Sequence, residues 1–370
     1  MKEKKTRARV LRYFTPVSLL FYALGVLALV MHLVALGSVR AADFLQAYVT
    51  PVVRGALGYL TALYPLSLVE TAILLSPLLV FLLVRLVRRV AKSREGALRL
   101  ITLFLSVPVL LYALFIGTHG VGYLSSPVAE RMALTDETPT KEEVYATAHW
   151  LAREAAALEG NLTEKAEDGS TRMPYGYYEM NRKLVAAYRS LAEKYEFIPS
   201  LSVGTKPILL SQPMAYTQIT GVYTFFTGEA NVNTVYPDFS TVYTAAHEMA
   251  HARGIARENE ANFVAFLACV ESDDPFIRYS GYVGLLQYVG AAAYRADPSA
   301  YSALWSSYGD ATVADFRAYN ETYDKYDGSI VGEVSGAIND TYLTTMGTEG
   351  TVTYSYVVRL AVAYHDSYIK

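Results

Sequence analysis

Residues His247 to His251 read His-Glu-Met-Ala-His, a pattern whose residue types and spacing suit metal chemistry. On a helix, side chains four positions apart lie one turn above each other on the same face. His247 and His251 can therefore each offer an imidazole nitrogen to one zinc ion. Glu248 lies about 100° round the helix from His247, where it can take a proton from a water molecule at the open position of the metal. The pattern predicts a zinc-dependent hydrolase in which Glu248 is the general base.

The sequence around this pattern predicts a buried helix. Glu248 is the only charged residue between Asp238 and His251, and Gly254 follows closely as a residue that ends helices in the left-handed conformation. Catalytic zinc sites of this kind use three protein ligands and one water molecule. The third ligand must therefore come from another part of the chain.

The next apolar stretch, residues 257–269, predicts a second helix that carries acids in its first turn. Glu258, Ala261 and Asn262 share one face at spacings of three and four. The small alanine would let this face approach the histidine helix closely, with Glu258 as third ligand and Asn262 hydrogen-bonded to a ligating histidine. Glu260 points to another side and is the alternative ligand.

The combination of His-Glu-x-x-His with a following helix that reads Glu-x-x-Ala-Asn resembles the gluzincin zinc metallopeptidases. In that group the first Glu of the second helix is the third ligand, and an Asp or Asn four residues later supports a histidine. The resemblance implies these roles for Glu258 and Asn262. The metzincin pattern is excluded, because Arg257 stands where that clan has its third ligand.

A longer stretch resembles an uncharacterised bacterial membrane family, domain of unknown function 3810. The resemblance is carried by 227–233 (Thr-Gly-Glu-Ala-Asn-Val-Asn), by 247–258, by Asn262, and by 339–343 (Asn-Asp-Thr-Tyr-Leu). It extends over most of the chain, including the apolar N-terminal segments. It implies metallopeptidase-like chemistry and names no substrate.

Three long apolar runs in the first third of the chain predict membrane-spanning helices. Hydrophobic residues make up 52% of the sequence, and the mean hydropathy is +0.20. The runs 17–36, 66–84 and 100–116 are each long enough to cross a hydrocarbon core. The region 44–64 is also apolar, but Arg54 in its middle favours an interfacial or packed helix. Residues 1–116 are therefore predicted to be a three-helix anchor in the lipid bilayer.

Basic residues before the first run and between the second and third predict the orientation. They are Lys2, Lys4, Lys5, Arg7, Arg9 and Arg12, and then Arg85, Arg88, Arg89, Lys92, Arg94 and Arg99. The positive-inside rule places both groups in the cytoplasm and residues 117–370 on the extracytoplasmic side of the cytoplasmic membrane. Residues 1–99 hold 14 basic and 4 acidic residues, and the remainder holds 18 basic and 31 acidic. An acidic outer domain argues against nucleic acid as a partner.

Residues 117–135 contain several Gly and Ser and predict a linker. Residues 136–370 then form the outer domain, where Thr140 and Glu143 predict a capping box at the start of a helix. Residues 221–234 favour strands. A strand just before the histidine helix is either a structural hairpin or an edge on which an extended peptide can pair.

A metallopeptidase also needs a hydrogen-bond donor for the oxyanion. Among the 31 tyrosines, Tyr342 is the first candidate, with Tyr354 and Tyr356 as alternatives. His119 has no companion at metal-ligand spacing and is assigned no catalytic role. Cys269, the single cysteine, is predicted to be a buried small hydrophobe.

The predicted fold class is mostly α-helical, with three membrane helices followed by an α-rich, zincin-like domain that contains a small edge sheet. The predicted function is hydrolysis of peptide bonds in an envelope or extracellular peptide or protein, with Zn²⁺ as cofactor. The alternative is a non-catalytic sensor or scaffold of the cell envelope with a structural or vestigial zinc site. The intact Glu248 argues against that alternative, because a structural zinc site needs no general base.

Overall fold

The N-terminal part of the chain is built from apolar helices that are tied to the outer domain. The computed structural model describes residues 12–345 and 354–370. The N-terminal elements are α1 (Pro16–Gly37), α2 (Val39–Phe44), a π-helical segment (Leu45–Val49), α3 (Thr50–Ala62), α4 (Leu68–Leu74), α5 (Ser76–Val90) and α6 (Arg94–Thr118). In this region Ala28 and Ala35 of α1 and Ile116 of α6 contribute to a core of small buried side chains.

Two of the described helices, α1 and α6, are individually long and apolar enough to cross a membrane. They correspond to the runs predicted at 17–36 and 100–116. The prediction of a third continuous span at 66–84 is wrong, because that run is divided between α4 and α5, which meet at an angle of 71°. The two pieces pass the same test only when they are counted together as one bent span.

The break between α4 and α5 has two physical causes. Pro77 lies in the first turn of α5, where a proline is tolerated, but its ring and missing N–H prevent continuation from the preceding turn. On α4, the buried Glu70 carboxylate accepts hydrogen bonds from the backbone amides of Leu209 and Leu210, at 3.0 and 2.5 Å. α4 is therefore fixed to the outer domain while α5 leaves in another direction.

Helix α3 turns its polar face toward the protein and its apolar face outward. Arg54 is 2% exposed, and its Nη1 donates to the carbonyl oxygen of Thr118 at 2.9 Å. Leu60 and Leu63, by contrast, are 66% and 83% exposed. This distribution agrees with the interfacial or packed helix predicted within 44–64, and α3 is not among the candidate spans in the described part of the chain.

The segment after α6, predicted as a linker over 117–135, contains a 3₁₀-helix (Gly120–Leu124) and α7 (Val128–Arg131). Val121 and Val128 are buried, and the backbone amide of Val128 donates to Glu260 at 3.0 Å. Helix α6 is thereby connected to the outer domain through ordered, packed backbone.

The outer domain is mostly α-helical with one small sheet, as predicted. Its elements are α8 (Lys141–Glu159), α9 (Tyr177–Lys194), β1 (Thr205–Pro207), α10 (Ser211–Ala215), β2 (Gly221–Thr224), β3 (Glu229–Val232), α11 (Asp238–Ala252), α12 (Glu258–Val270), α13 (Pro275–Ala296), α14 (Pro298–Trp305), α15 (Asp310–Tyr326), α16 (Ile330–Thr345) and α17 (Tyr354–Tyr368). Thr140 and Glu143 form the predicted capping box at the start of α8.

The sheet has the strand order β1-β3-β2, with β1 parallel and β2 antiparallel to β3. β2 is thus an edge strand, as expected for the region 221–234, and both β2 and β3 contact α11. Beneath the sheet, α11, α12 and α13 pack on one another and α13 packs along α8. Cys269 lies in this core with no exposed surface, as predicted.

A Schellman turn at Gly254 reverses the chain between α11 and α12. Gly254 has φ +93°, and the backbone amides of Gly254 and Ile255 donate to the carbonyl oxygens of His251 and Ala250, at 2.9 and 3.1 Å. The carbonyl oxygen of Gly254 accepts a 2.6 Å hydrogen bond from Gln46 Nε2. The turn that positions α12 is therefore held from the N-terminal region.

We expect Gly254→Ala to lower the free energy of unfolding by more than about 2 kcal/mol. The substitution combines a left-handed backbone with a Cβ that would lie 2.3 Å from Gln46 Nε2 and 2.5 Å from Arg54 Nη1. Gly160→Ala is the control, since Gly160 has negative φ and a Cβ at that position would meet no atom within 4 Å. Thermal unfolding of the full chain in detergent measures both, and equal melting temperatures would contradict this account of the turn.

Candidate metal centre

The turn at Gly254 brings three potential ligands together. His247 and His251 project from the last two turns of α11, and Glu258 is the first residue of α12. One ligand atom of each residue lies within 4.8 Å of the others. His247 Nε2 is 3.1 Å from Glu258 Oε2, and His251 Nε2 is 3.5 Å from Glu258 Oε1. Neighbouring ligand atoms in a tetrahedral zinc shell are separated by about 3.4 Å, so this donor set fits a zinc ion.

Hydrogen bonds on the other ring nitrogens direct both Nε2 atoms toward this point. His251 Nδ1 is 2.7 Å from the carbonyl oxygen of Ile255, which can only accept, so Nδ1 carries a proton. His247 Nδ1 is 2.8 Å from Asn262 Oδ1, which also accepts from the hydroxyl of Tyr288 at 3.2 Å. Such partners fix the ring orientation and tautomer of a metal ligand. The structure places Asn262 where the sequence predicts it.

Glu248 is 4% exposed, and its Oε2 has no hydrogen-bond partner among the described residues. Burial raises the pKa of this carboxyl group to about 7, although the nearby His247 and His251 lower it. A carboxylate with a free oxygen and such a pKa is suited to accept a proton and return it near neutral pH. It lies beside the three potential ligands and lines the same cleft.

His247, His251 and Glu258 form a cluster whose charges compensate one another in the metal-free protein. Burial lowers the pKa of His251, but the attraction of Glu258 outweighs it and the pKa is raised to about 9. Burial raises the pKa of Glu258, but the two histidines hold it well below its ordinary value. A proton held between His251 and Glu258 occupies the place that a metal cation would take. Metal binding at these residues would therefore release protons.

The cluster opens into a cleft of about 420 Å³ that is bordered by the edge strand β2. Gly221, the first residue of β2, lies directly over the general-base candidate. A Cβ at this position would be 2.5 Å from Glu248 Oε1 and 2.7 Å from Thr244 Cγ2. Only a residue without a side chain lets the strand pass this close to Glu248.

Several polar side chains that the sequence did not indicate also line the cleft, among them His119 and Tyr223. His119 follows α6 directly and its ring centroid lies 5.4 Å from that of His251 and 5.8 Å from that of Tyr223, on β2. His119 Nδ1 and the Tyr223 hydroxyl are buried without a partner among the described residues. Burial and the neighbouring His251 lower the pKa of His119 to about 3, so the ring is neutral.

The exclusion of His119 from the site rested on its isolation in the sequence. Spacing detects ligands that share one helix, whereas His119 reaches the cleft through the packing of the end of α6 against Phe225 in the hairpin that follows β2. Tyr223 lay within the predicted strand region, but the alternation of a strand does not show which side chain faces a cleft. Neither residue had a sequence signal that distinguished it.

The remaining site predictions fall elsewhere. Glu260, the alternative ligand, is directed away from the cluster, where it pairs with Arg257 Nη1 at 3.2 Å and accepts from the Val128 amide. The side chains of Tyr342 and Tyr354 lie outside the described residues. Tyr356 lies at the start of α17, where the Arg359 guanidinium stacks over its ring.

Residues 46–362 match the sequence model of a family described as a protein of unknown function (DUF3810). The match covers most of the chain, and the protein belongs to this family. It includes α3 and α6 as well as the candidate ligands, so the matched region combines apolar helices, one of them long enough to cross a membrane, with the cleft. No curated protein and no solved structure matches the chain.

We expect substitutions in α12 to separate metal binding from stability. Glu258→Gln should lose zinc most severely, and Asn262→Ala should weaken zinc affinity about 10–100-fold through the orientation of His247. Glu260→Gln should keep normal affinity but lower stability by about 1–3 kcal/mol, because it removes a buried charge partner of Arg257. Chelator competition measures affinity, and thermal unfolding of the metal-free protein measures stability. Loss of zinc in Glu260→Gln with retention in Glu258→Gln would contradict the ligand assignment.

Proposed function

We propose that this protein is a membrane-anchored zinc metallopeptidase that hydrolyses peptide bonds on the extracytoplasmic side of the cytoplasmic membrane. The observation that carries the proposal is the convergence of three donor side chains with a buried carboxylate, Glu248, whose second oxygen is free. A structural zinc site has no use for such a group. The zincin-like fold and the orientation of the anchor belong to this proposal.

His247, His251 and Glu258 would hold the metal, and Asn262 and the Ile255 carbonyl would keep the two imidazoles aligned. A zinc ion bound there supplies Lewis acidity toward a carbonyl oxygen and a nearby water molecule. Glu248 takes the proton of the attacking water at its free oxygen and later passes it to the leaving amine. These steps need no further titratable group in the cleft.

The edge strand provides the means to orient a substrate. β2 hydrogen-bonds to β3 on one side and borders the cleft on the other. An extended peptide can pair with such an edge through its main chain, which positions a scissile bond over Glu248 without demanding one sequence. Gly221 keeps the strand close enough for this alignment.

The neutral donors His119 and Tyr223 are suited to stabilise negative charge on the carbonyl oxygen. Both are buried beside the cluster, and both have unpartnered polar atoms in the described part of the structure. Donors already fixed in a water-poor cleft stabilise an oxyanion without reorganisation. These two residues take the role that the sequence assigned to Tyr342, which remains a sequence-based prediction.

We expect Glu248→Gln to bind zinc and fold normally but to abolish turnover, because the amide cannot accept the proton. The comparison of new N-termini in membranes from cells with wild-type and Glu248→Gln protein measures this. Glu179→Gln, on an exposed side chain, is the control for the loss of one negative charge. Identical cleavage patterns in wild type and Glu248→Gln would contradict the peptidase proposal and favour a non-catalytic envelope protein.

We expect Tyr223→Phe to lower kcat about 100-fold on a substrate so identified, with KM and zinc content nearly unchanged. The hydroxyl is expected to act on the oxyanion rather than on the bound peptide. Tyr236→Phe is the matched control, since its hydroxyl is also buried without a described partner but lies outside the cleft. Equal kcat values for the two variants would remove Tyr223 from the mechanism.

A further inference from the structure

The cleft lies at the end of a membrane-spanning helix. His119, one of its lining residues, directly follows α6, whose apolar run ends at Ile116. Three residues of helix advance about 5 Å along the axis, so His119 is about one helical turn beyond the hydrocarbon-spanning run. The sequence separates His247 from the last span by a long stretch of chain, whereas the fold brings the two together.

The edge strand is fixed to the same end of α6. Thr118 Oγ1 donates to the carbonyl oxygen of Phe225 at 3.2 Å, and the Phe225 ring packs edge-to-face on Phe115 with centroids 5.5 Å apart. At the hairpin turn after β2, a Cβ on Gly228 would be 2.8 Å from Leu57 Cβ, so the hairpin lies directly on α3. The strand that borders the cleft is thus held against two helices of the anchor.

Exposed apolar side chains continue from these helices to the rim of the cleft. Val52 and Leu60 on α3 are 70% and 66% exposed, and their helix buries Arg54 on its inner face. Val222 on β2 and Phe226 just after it are 40% and 39% exposed. A helix with apolar side chains on its outer face and a buried cation on its inner face is suited to a lipid environment. Exposed apolar side chains that continue from a membrane-spanning helix are suited to the interface between lipid and water.

We propose that the cleft opens at the membrane surface and that its substrates are polypeptides tethered to the same bilayer by a span or a lipid, cleaved close to their membrane attachment. The proposal rests on the peptidase function and names its substrate class. An extended chain that leaves the bilayer beside α6 meets β2 within a few residues, at about 3.3 Å per residue. Segments farther from the membrane would have to fold back to reach the strand.

The position of the cleft is tested without metal or activity. The single cysteine, Cys269, is fully buried, so a fluorophore can be attached selectively to a cysteine introduced elsewhere. The test variant is Phe226→Cys. The reference variants are Leu63→Cys on the outer face after α3, Leu105→Cys on α6 and Arg153→Cys on α8. In vesicles of phosphatidylethanolamine and phosphatidylglycerol, quenchers on lipid headgroups should quench the Phe226 and Leu63 probes. A mid-chain quencher should quench the Leu105 probe, and neither should quench Arg153. A Phe226 probe that behaves like Arg153 would overturn the proposal.

The substrate class is tested with the full zinc-loaded chain in the same vesicles. The probe is a pool of random peptides of about 30 residues with two N-terminal acyl chains, and the same pool without them is the control. We expect cuts in the tethered pool within about 10 residues of the acyl chains, at least tenfold more often than beyond them, and no such bias in the free pool. An even distribution in the tethered pool would overturn the substrate class. Absence of cleavage in both pools, with Glu248→Gln indistinguishable from wild type, would overturn the peptidase function, while the quenching result would still locate the cleft.

Discussion

The left-handed turn at Gly254 is the constraint on which the site depends. It ends α11 immediately after the second histidine and starts α12 in a direction that returns Glu258 to both rings. Gln46 and Arg54 crowd its Cα from one side, and Gly122 approaches its carbonyl so closely that a Cβ there would lie 2.9 Å from the oxygen. Backbone from the N-terminal region, the segment after α6 and the outer domain therefore meet at one residue. Steric crowding at this point leaves little freedom in the angle between the ligand-bearing helices.

Arg54 organises the N-terminal helices next to the turn, and Gln46, one of its acceptors, donates to the Gly254 carbonyl of the outer domain. Its guanidinium is buried, and desolvation lowers its pKa to about 10. A buried cation needs hydrogen bonds. Nη1 of Arg54 donates to Gln46, Thr50 and the Thr118 carbonyl at the end of α6, whereas its Nε and Nη2 have no partner among the described residues. Separation of α3 from α6 would remove the Thr118 acceptor from a buried charge, so the polar network favours one fixed arrangement of these two helices and the turn.

Local periodicity accounts for what the sequence predicted correctly. The histidine helix, its end at Gly254, the contact of Asn262 with His247 and the two long apolar helices all follow from patterns within one or two adjacent helices. Pro77 is a local signal for the division of 66–84 into α4 and α5, but the second cause, the hydrogen bonds of Glu70 to the amides of Leu209 and Leu210, is contained in no local pattern. His119 and Tyr223 line the cleft for a similar reason, because contacts between elements that are distant in the sequence position them there. Tertiary contacts decide whether an apolar run forms one continuous helix. They also decide which isolated polar residue faces a cleft.

The distribution of polar and apolar side chains on α3 relates the turn at Gly254 to the apolar surface of the N-terminal region. In an ordinary surface helix the apolar face is buried and the charged face is solvated, but α3 buries Arg54 and exposes Leu60. Its inner, polar face supports the turn that positions the ligands, and its outer, apolar face is suited to lipid. The same helix therefore links the geometry of the cluster to the exposed apolar surface of the N-terminal region. Because the hairpin that follows β2 packs on this helix and on the end of α6, the fold itself fixes the cleft relative to the ends of these two apolar helices.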